Sequence, residues 1–197
     1  MPVWIILLTL ISLAASACLG QKNDPPQISR ALDPRTVAEF EVQGWAWTDD
    51  PENSISPDGK YLLAIINNEE HKAVTVIPVE GETHDPKILH EAPAGWAQYD
   101  GLDYRTLGWT GDGRPLFLVF GYQNRGPNTG KRGVGIWSGG AGEGEAEELA
   151  FIDLPGENLQ SSVYLTGQDK VFISVSAAIY SYDLKSSRIA PVKTGLP

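Results

Sequence analysis

The segment Ser56-Pro57-Asp58-Gly59-Lys60 predicts a tight turn, and the apolar run Tyr61-Leu62-Leu63-Ala64-Ile65-Ile66 follows it directly. Asp-Gly favours a turn between strands because glycine accepts positive φ and the aspartate side chain bonds the turn backbone. The pattern returns at Thr110-Gly111-Asp112-Gly113-Arg114 and, in weaker form, at Thr166-Gly167-Gln168-Asp169-Lys170. The steps of 54 residues (56 to 110) and 56 residues (110 to 166) predict a repeat architecture of β-rich units.

Each repeat holds four short runs of β-branched and aromatic residues, bounded by Gly, Pro, Asn and Asp. Four such strands are typical of one blade of a β-propeller. We therefore predict an all-β, propeller-like fold of about three four-stranded blades, near residues 51–92, 103–154 and 160–193. The first strand of each blade is predicted at 53–56, 104–109 and 162–165, and Pro191 places the last strand at an edge. Three blades form an incomplete ring, because propellers usually have about four to eight.

Both Asp-Gly turns resemble a known family. Trp109-Thr110-Gly111-Asp112-Gly113-Arg114 and Ile55-Ser56-Pro57-Asp58-Gly59-Lys60 are similar to the Trp-Ser-Pro-Asp-Gly-Lys turn of TolB-like β-propellers. The propellers of prolyl-oligopeptidase-type peptidases carry similar repeats, and Tyr180-Ser181-Tyr182-Asp183-Leu184 resembles the third strand of such blades. The resemblance covers residues 51–192 and departs from the family at Ile55, at Gly111 and in the third copy, which lacks Asp-Gly. It implies the fold and leaves the function open, since propellers host binding, scaffolding and catalysis alike.

Residues 1–17 are predicted to be an export signal, with an apolar core at 3–13 and the small residues Ala15-Ser16-Ala17 as a cleavage site. The single cysteine of the chain, Cys18, follows directly. The stretch Leu13-Ala14-Ala15-Ser16-Ala17-Cys18 resembles the lipobox of bacterial lipoproteins, with Ala15 where Leu is usual. The resemblance implies that Cys18 becomes the lipidated first residue of an exported, membrane-anchored protein on the periplasmic or cell-surface side.

Two alternatives for the N-terminus stay open. An ordinary signal peptidase would cut after Ala17 and leave Cys18 as a free thiol. The uncharged segment could also stay as an anchor, because about 17 apolar residues are the shortest stretch that spans a bilayer.

Residues 18–32, which include Pro25-Pro26, are predicted to be a tether, and residues 33–197 the folded domain. Asp33-Pro34 predicts the start of a short helix that ends before Gly44. The net charge of −10 disfavours a nucleic-acid partner, because an acidic domain repels phosphate backbones.

Two groups of residues are candidate binding sites. The loop between Tyr122 and Gly133 is long for a hairpin and locally basic, and it predicts a contact surface at Asn124, Arg125, Lys131 and Arg132. A solvated hairpin is the alternative. Trp45 and Trp47 lie on one face of a predicted strand, either in a core or as an aromatic platform. A carbohydrate-binding protein would use Trp45, Trp47 or Trp96.

Catalytic and metal-binding motifs are absent from the sequence. The histidines His71, His84 and His90 lack metal-ligand spacing. The neighbouring carboxylates Asp49-Asp50 and Glu69-Glu70 are interpreted as solvated turns, because adjacent residues of a strand point to opposite faces. No Gly-x-Ser-x-Gly elbow is present.

From these observations we expect a non-catalytic envelope lipoprotein without metal or cofactor, which binds an envelope protein or a small ligand. The alternative is the N-terminal propeller of a prolyl-oligopeptidase-like peptidase that lacks its hydrolase domain.

The lipobox generates the first testable prediction. The mature protein extracted from membranes should carry a diacylglyceryl-sized mass increment on Cys18, and this increment should be absent from a Cys18→Ala variant. Intact-mass spectrometry of both chains makes the measurement. An unmodified mass for the parent chain would contradict lipidation and leave the free-thiol or uncleaved-anchor alternatives.

Overall fold

A computed structural model describes residues 45–80, 84–93, 102–140, 145–154, 159–176 and 178–192. In this part of the chain twelve strands form three four-stranded antiparallel sheets, each a meander in chain order. The first sheet contains β1 (Trp45–Trp47), β2 (Tyr61–Asn67), β3 (His71–Pro78) and β4 (Lys87–Pro93). The second contains β5 (Asp103–Trp109), β6 (Pro115–Tyr122), β7 (Arg132–Gly139) and β8 (Ala146–Asp153). The third contains β9 (Leu159–Leu165), β10 (Lys170–Val175), β11 (Ile179–Asp183) and β12 (Arg188–Pro191).

The predicted all-β fold with three four-stranded units is confirmed, and the three sheets do not close into a ring. Pro191 lies on the edge strand β12, as predicted. The predicted N-terminal helix, the tether and the export signal lie outside the described residues.

The predicted first strand of the first blade, at 53–56, is wrong. The first strand is β1, which pairs with β2 and begins before residue 51. Pro51–Asn53 forms a single turn of 3-10 helix, because the Asp50 side chain accepts a hydrogen bond from the Asn53 N–H at 3.3 Å. Ile55 forms only an isolated bridge with Leu62.

The turn before each second strand is held by a hydroxyl–carboxylate pair in the first two sheets. The Ser56 hydroxyl donates to Asp58 Oδ1 at 2.6 Å, and its oxygen accepts the Tyr61 N–H at 3.0 Å. Thr110 and Asp112 repeat this arrangement. These hydrogen bonds to the ionised form lower the pKa of both aspartates. The turn is therefore stabilised by the residue types that repeat in the sequence.

The third turn reaches the same backbone shape without glycine. Gly59 and Gly113 have φ of +78° and +80°, and Asp169 stands at the corresponding place with φ of +51°. The Tyr164 hydroxyl donates to the Asp169 carboxylate at 3.2 Å, and Lys185 pairs with that carboxylate at 2.9 Å. These contacts hold the left-handed conformation that glycine adopts freely.

Two apolar layers join the three sheets face to face. The layer between the first and second sheets combines aliphatic side chains of β2, β3 and β4 with aromatic side chains of β5, β6 and β7: Leu63, Ile65, Val74, Val76, Leu89, Tyr104, Trp109, Phe117 and Trp137. The layer between the second and third sheets contains Leu107, Leu116, Leu118, Val134, Ile136, Tyr164, Val171, Ile173, Val175 and Tyr182. The second sheet is therefore covered on both faces, and burial of these side chains is the main source of stability.

A β-bulge in β5 brings the second sheet against the 3-10 turn of the first. The pairing of β5 with β6 shifts between Thr106 and Gly108, and Gly108 has φ of +111°. A Cβ added at Gly108 would lie 2.7 Å from Asn53 Cβ and 3.0 Å from the Asn53 carbonyl oxygen. The buried Trp109 Nε1–H donates to the Ser54 carbonyl at 2.8 Å. Glycine is required here by the positive φ and the close approach together.

Gly108→Ala should lower the free energy of unfolding by at least about 2 kcal/mol, because alanine strains the backbone and collides with Asn53. Gly111→Ala is the matched control: the added Cβ meets nothing within 4 Å, and the change should stay within about 0.5 kcal/mol. Urea unfolding followed by tryptophan fluorescence measures both. Equal stability of the two variants would show that the bulge does not constrain the inter-sheet contact.

Candidate functional site

A polar pocket lies at the edge where the first strands of the sheets meet. It has a volume of about 280 Å³. Its lining comes from the segment after β1, from β5 and from β9: Asp49, Asp50, Arg105, Thr106, Leu107, Ser162, Val163 and Tyr164. Because all three sheets contribute, the pocket depends on their relative packing.

Reciprocal hydrogen bonds link Asp49 to Thr106 across the first and second sheets. The Thr106 N–H donates to Asp49 Oδ2, and the Asp49 N–H donates to Thr106 Oγ1, both at 2.9 Å. Thr48 Oγ1 lies 3.1 Å from the same hydroxyl. Loss of water around the carboxyl raises the pKa of Asp49, and the Thr106 N–H and the charge of Arg105 oppose this shift. Asp49 therefore presents a carboxylate that is incompletely solvated and fixed in direction.

The other two charged groups of the pocket are held in different ways. Asp50 accepts hydrogen bonds from the Asn53 backbone and from Asn53 Nδ2, the latter at 2.8 Å, and so caps the 3-10 turn. The Arg105 guanidinium lies over the Phe120 ring, 6.0 Å from its centroid. The pocket thus offers one cation beside two carboxylates, which is suited to a ligand with several polar groups.

Hydroxyl groups of β9 complete the lining. Ser162 Oγ is buried and has no hydrogen-bond partner in the described part of the chain. The neighbouring Tyr164 hydroxyl is bound to Asp169, and burial raises the pKa of Tyr164 to about 12. Ser162 is therefore a polar group whose hydrogen bond a ligand can satisfy.

The four loop residues selected from the sequence lie away from this pocket. Asn124 Nδ2 donates to the Glu91 carbonyl at 2.9 Å, and Lys131 Nζ donates to Asn128 Oδ1 at 3.0 Å. Arg132 lies 5.5 Å from the centroid of the Tyr122 ring, while Arg125 is exposed. Backbone hydrogen bonds from the Gln123 N–H to the Lys131 carbonyl and from the Gly130 N–H to the Gln123 carbonyl close the hairpin. The loop is thus fastened to both the first and second sheets.

The predicted aromatic platform is partly occupied by a lysine. Trp45 and Trp47 belong to β1, as expected, and Trp47 packs against the first apolar layer. Lys72 Nζ lies 5.1 Å from the Trp47 ring centroid and forms an ion pair with Asp103. Cys18 and Trp96 lie outside the described residues.

Sequence reasoning missed the pocket residues because each one is ordinary by itself. Asp49 is exposed in a bend, as the interpretation of Asp49-Asp50 as a solvated turn implies, and it also accepts a hydrogen bond from the second sheet and lines the pocket. One signal could have found the site: Thr106 and Ser162 both stand four residues before the threonine that opens a repeat turn, Thr110 or Thr166. Hydroxyl residues at the same position of β5 and β9, the first strands of the second and third sheets, indicate that these strands line a common polar site.

A second polar cluster is buried beneath the 122–133 loop. His90 is fully buried, its Nδ1 lies 3.0 Å from the Tyr104 hydroxyl oxygen, and its ring meets the Trp137 ring edge-on at 4.7 Å between centroids. Burial, with the charge of Arg125, lowers the pKa of His90 to about 3. Burial also raises the pKa of Tyr104. His90 is therefore a neutral core residue.

Neither a metal site nor a membrane span is found in the described ranges. No group of three or more His, Cys, Asp or Glu residues there is arranged to hold a metal ion. Within the same ranges no helix is long and apolar enough to cross a bilayer.

The chain resembles known proteins in its three-dimensional structure but matches none in the sequence comparisons. No family model matches the chain, and no curated protein matches it. The chain is similar to TolB from Acinetobacter baumannii, with 17% identity and a TM-score of 0.47 over 80% of this chain and 34% of that one. It is also similar to a protein assigned as TolB in Agrobacterium tumefaciens, with 14% identity and a TM-score of 0.33 over 82% of this chain and 65% of that one. The chain thus spans about a third of the first protein and just under two thirds of the second.

The buried histidine predicts a pH dependence of stability. The unfolded chain binds a proton at His90 below about pH 6.5, while the folded chain does so only near pH 3, so stability falls as pH drops between these values. The slope from this group is at most about 1.4 kcal/mol per pH unit. Urea unfolding of the parent chain and of His90→Gln at several pH values measures it. The parent's stability should fall relative to that of the variant below pH 6.5; parallel curves would contradict the assignment.

Proposed function

We propose that this chain is a non-catalytic envelope lipoprotein whose propeller-like domain binds a protein or small-molecule ligand in the pocket at the first-strand edge. The observation that carries the proposal is the polar pocket to which all three sheets contribute. A binding site at the meeting point of several repeats combines side chains that no single repeat could bring together. The loop at Asn124, Arg125, Lys131 and Arg132 is a second contact surface under this proposal.

Binding is favoured over catalysis by how the pocket side chains are engaged. A serine nucleophile needs a general base within hydrogen-bond distance, and Ser162 Oγ has no such partner among the described residues. Asp49 and Asp50 are both committed to backbone N–H groups. The groups that stay available are an oriented carboxylate edge, the Arg105 guanidinium and the Ser162 hydroxyl, which recognise polar ligands without reacting with them.

The N-terminal sequence supports placement in the cell envelope. The lipobox-like stretch ending at Cys18 would give the mature protein a diacyl anchor, and residues 18–32 would connect it to the domain. The acidic charge of the chain agrees with a protein or small-molecule ligand rather than a nucleic acid. Under this proposal the pocket faces the periplasmic or extracellular side.

Site-directed photo-crosslinking tests the binding site. The full-length chain with p-benzoylphenylalanine in place of Val163, a half-exposed residue of the pocket lining, should form a discrete adduct on irradiation of intact cells. Intact-mass detection covers small-molecule and protein adducts alike. The same photoreactive residue at Glu69, an exposed residue outside the pocket lining, is the control and should form no such adduct.

A second substitution separates ligand recognition from folding. Ser162→Val removes a hydroxyl that bonds nothing in the described protein, so the fold should keep its stability. The adduct yield should fall about fivefold, the equivalent of one hydrogen bond of about 1 kcal/mol. An equal adduct from the Glu69 position, or none from the Val163 position, would overturn the proposed site.

A further inference from the structure

Three buried polar atoms lie unpaired between the first and second sheets, in the polar cluster beneath the 122–133 loop. They are Nε2 of His90 on β4, Oε1 of Gln123 directly after β6, and Nε1 of Trp137 on β7. His90 and Gln123 are 0% exposed, and Trp137 is 3% exposed. Buried polar groups nearly always have a hydrogen-bond partner, and an unpaired one destabilises the fold. These atoms therefore require a partner from outside the described chain.

The three atoms lie close to one another. A Cβ added at Gly135 would lie 2.5 Å from Trp137 Nε1 and 3.3 Å from Gln123 Oε1, so both atoms flank the same point of β7. No direct hydrogen bond joins them. The His90 ring meets the Trp137 ring edge-on at 4.7 Å between centroids. A donor from β7, an acceptor from the loop and a ring nitrogen from the first sheet therefore border one small region between the sheets.

The side chains would lose existing hydrogen bonds if they turned to satisfy these atoms. Gln123 Nε2 donates to the carbonyl groups of Val119 at 3.2 Å and of Gly121 at 3.4 Å, so a rotated amide would lose both bonds. His90 Nδ1 lies 3.0 Å from the Tyr104 hydroxyl oxygen, and this contact fixes the direction of its Nε2. The unpaired atoms are thus held in place by the paired atoms of the same side chains.

The chemistry of the three atoms defines what they bind. The Trp137 Nε1–H only donates, Gln123 Oε1 only accepts, and neutral His90 Nε2 does one or the other according to its tautomer. The bound molecule must therefore accept and donate at once. It must also be small and uncharged, because an ion would lose its hydration among the aromatic rings that lie around the histidine. These rings belong to Tyr104, Phe117 and Trp137.

Water meets these requirements. It donates and accepts hydrogen bonds at the same time, and a buried water typically makes about three of them to otherwise unpaired groups. We propose that one water molecule is bound here, where it accepts from Trp137 Nε1, donates to Gln123 Oε1 and makes a third hydrogen bond with His90 Nε2. This water connects β4 with β7 and so belongs to the contact between the first two sheets.

Water-to-protein NMR of the 15N-labelled full chain tests the site, with the indole resonances assigned by through-bond correlation. The Trp137 Nε1–H should give a cross-peak at the water frequency with opposite signs in NOESY and ROESY spectra, which distinguishes a bound water from proton exchange. Trp109 is the matched control in the same chain, because its buried Nε1–H donates to the Ser54 carbonyl at 2.8 Å and should give no such cross-peak. No cross-peak from Trp137, or an equal one from Trp109, would overturn the proposal.

Gln123→Met removes the acceptor and keeps the length of the side chain. The water loses one of its hydrogen bonds, so the Trp137 cross-peak should fall about fivefold, which is about 1 kcal/mol. Gln168→Met, at an exposed position in the turn before β10, is the matched control and should leave the cross-peak unchanged. An unchanged Trp109 indole resonance shows that each variant is folded.

A cross-peak of parental intensity in the folded Gln123→Met chain, or an equal loss in Gln168→Met, would overturn the proposed bridge. The comparison of Trp137 with Trp109 needs no variant, so it decides the question even where Gln123→Met does not fold.

Discussion

Each of the three sheets has apolar side chains on at least one face, and another part of the protein must cover that face to keep water away from it. Four strands on their own cannot exclude water from such a face, so the sheets are stable only when they lie on one another. The second sheet shows this most clearly, because β6 sends Phe117 toward the first sheet and Leu116 and Leu118 toward the third. The close approach at Gly108 and the pocket both depend on this stacking.

The repeat turns made most of the fold predictable from the sequence. A hydroxyl residue, an aspartate and a glycine at fixed spacing indicate a tight turn, because the hydroxyl bonds the aspartate and the glycine adopts a positive φ. The apolar run after each turn then indicates the β-strand that follows it. The edge position of Pro191 agrees with that prediction. The first strand was misplaced because Asp50 and Pro51 favour a 3-10 turn, a local preference that overrode the β-pattern at 53–56. Trp45 and Trp47, which were predicted to lie on a strand, belong to β1, the actual first strand of the first sheet.

The candidate site was much less predictable than the fold. Asp49, Thr106 and Ser162 are separated by more than fifty residues at each step, and their association depends on how one sheet is placed on the next. A hydrogen bond between Asp49 and Thr106 leaves no local pattern, since both residue types are common in solvated loops. Basic loop residues such as Arg125 and Lys131 stood out more in the sequence, although the structure places them at the end of a hairpin rather than in the pocket. A basic loop can be recognised from the sequence alone, whereas a pocket formed by distant segments can be recognised only when the packing of the sheets is known.

The meander order of the strands has a consequence for how the chain acquires its structure. Every strand pair in the described ranges joins neighbours along the chain, so each of these sheets can form from local contacts with little loss of loop entropy. Contacts between sheets, such as the hydrogen bond from Trp109 to the Ser54 carbonyl, close loops of more than fifty residues and therefore cost more loop entropy. Folding of this kind is nearly one-dimensional: each unit is stabilised by its neighbours, and an end unit opens more readily than a middle one. Of the three described sheets, we expect the second, which is covered on both faces, to be the last to exchange its amide hydrogens with solvent.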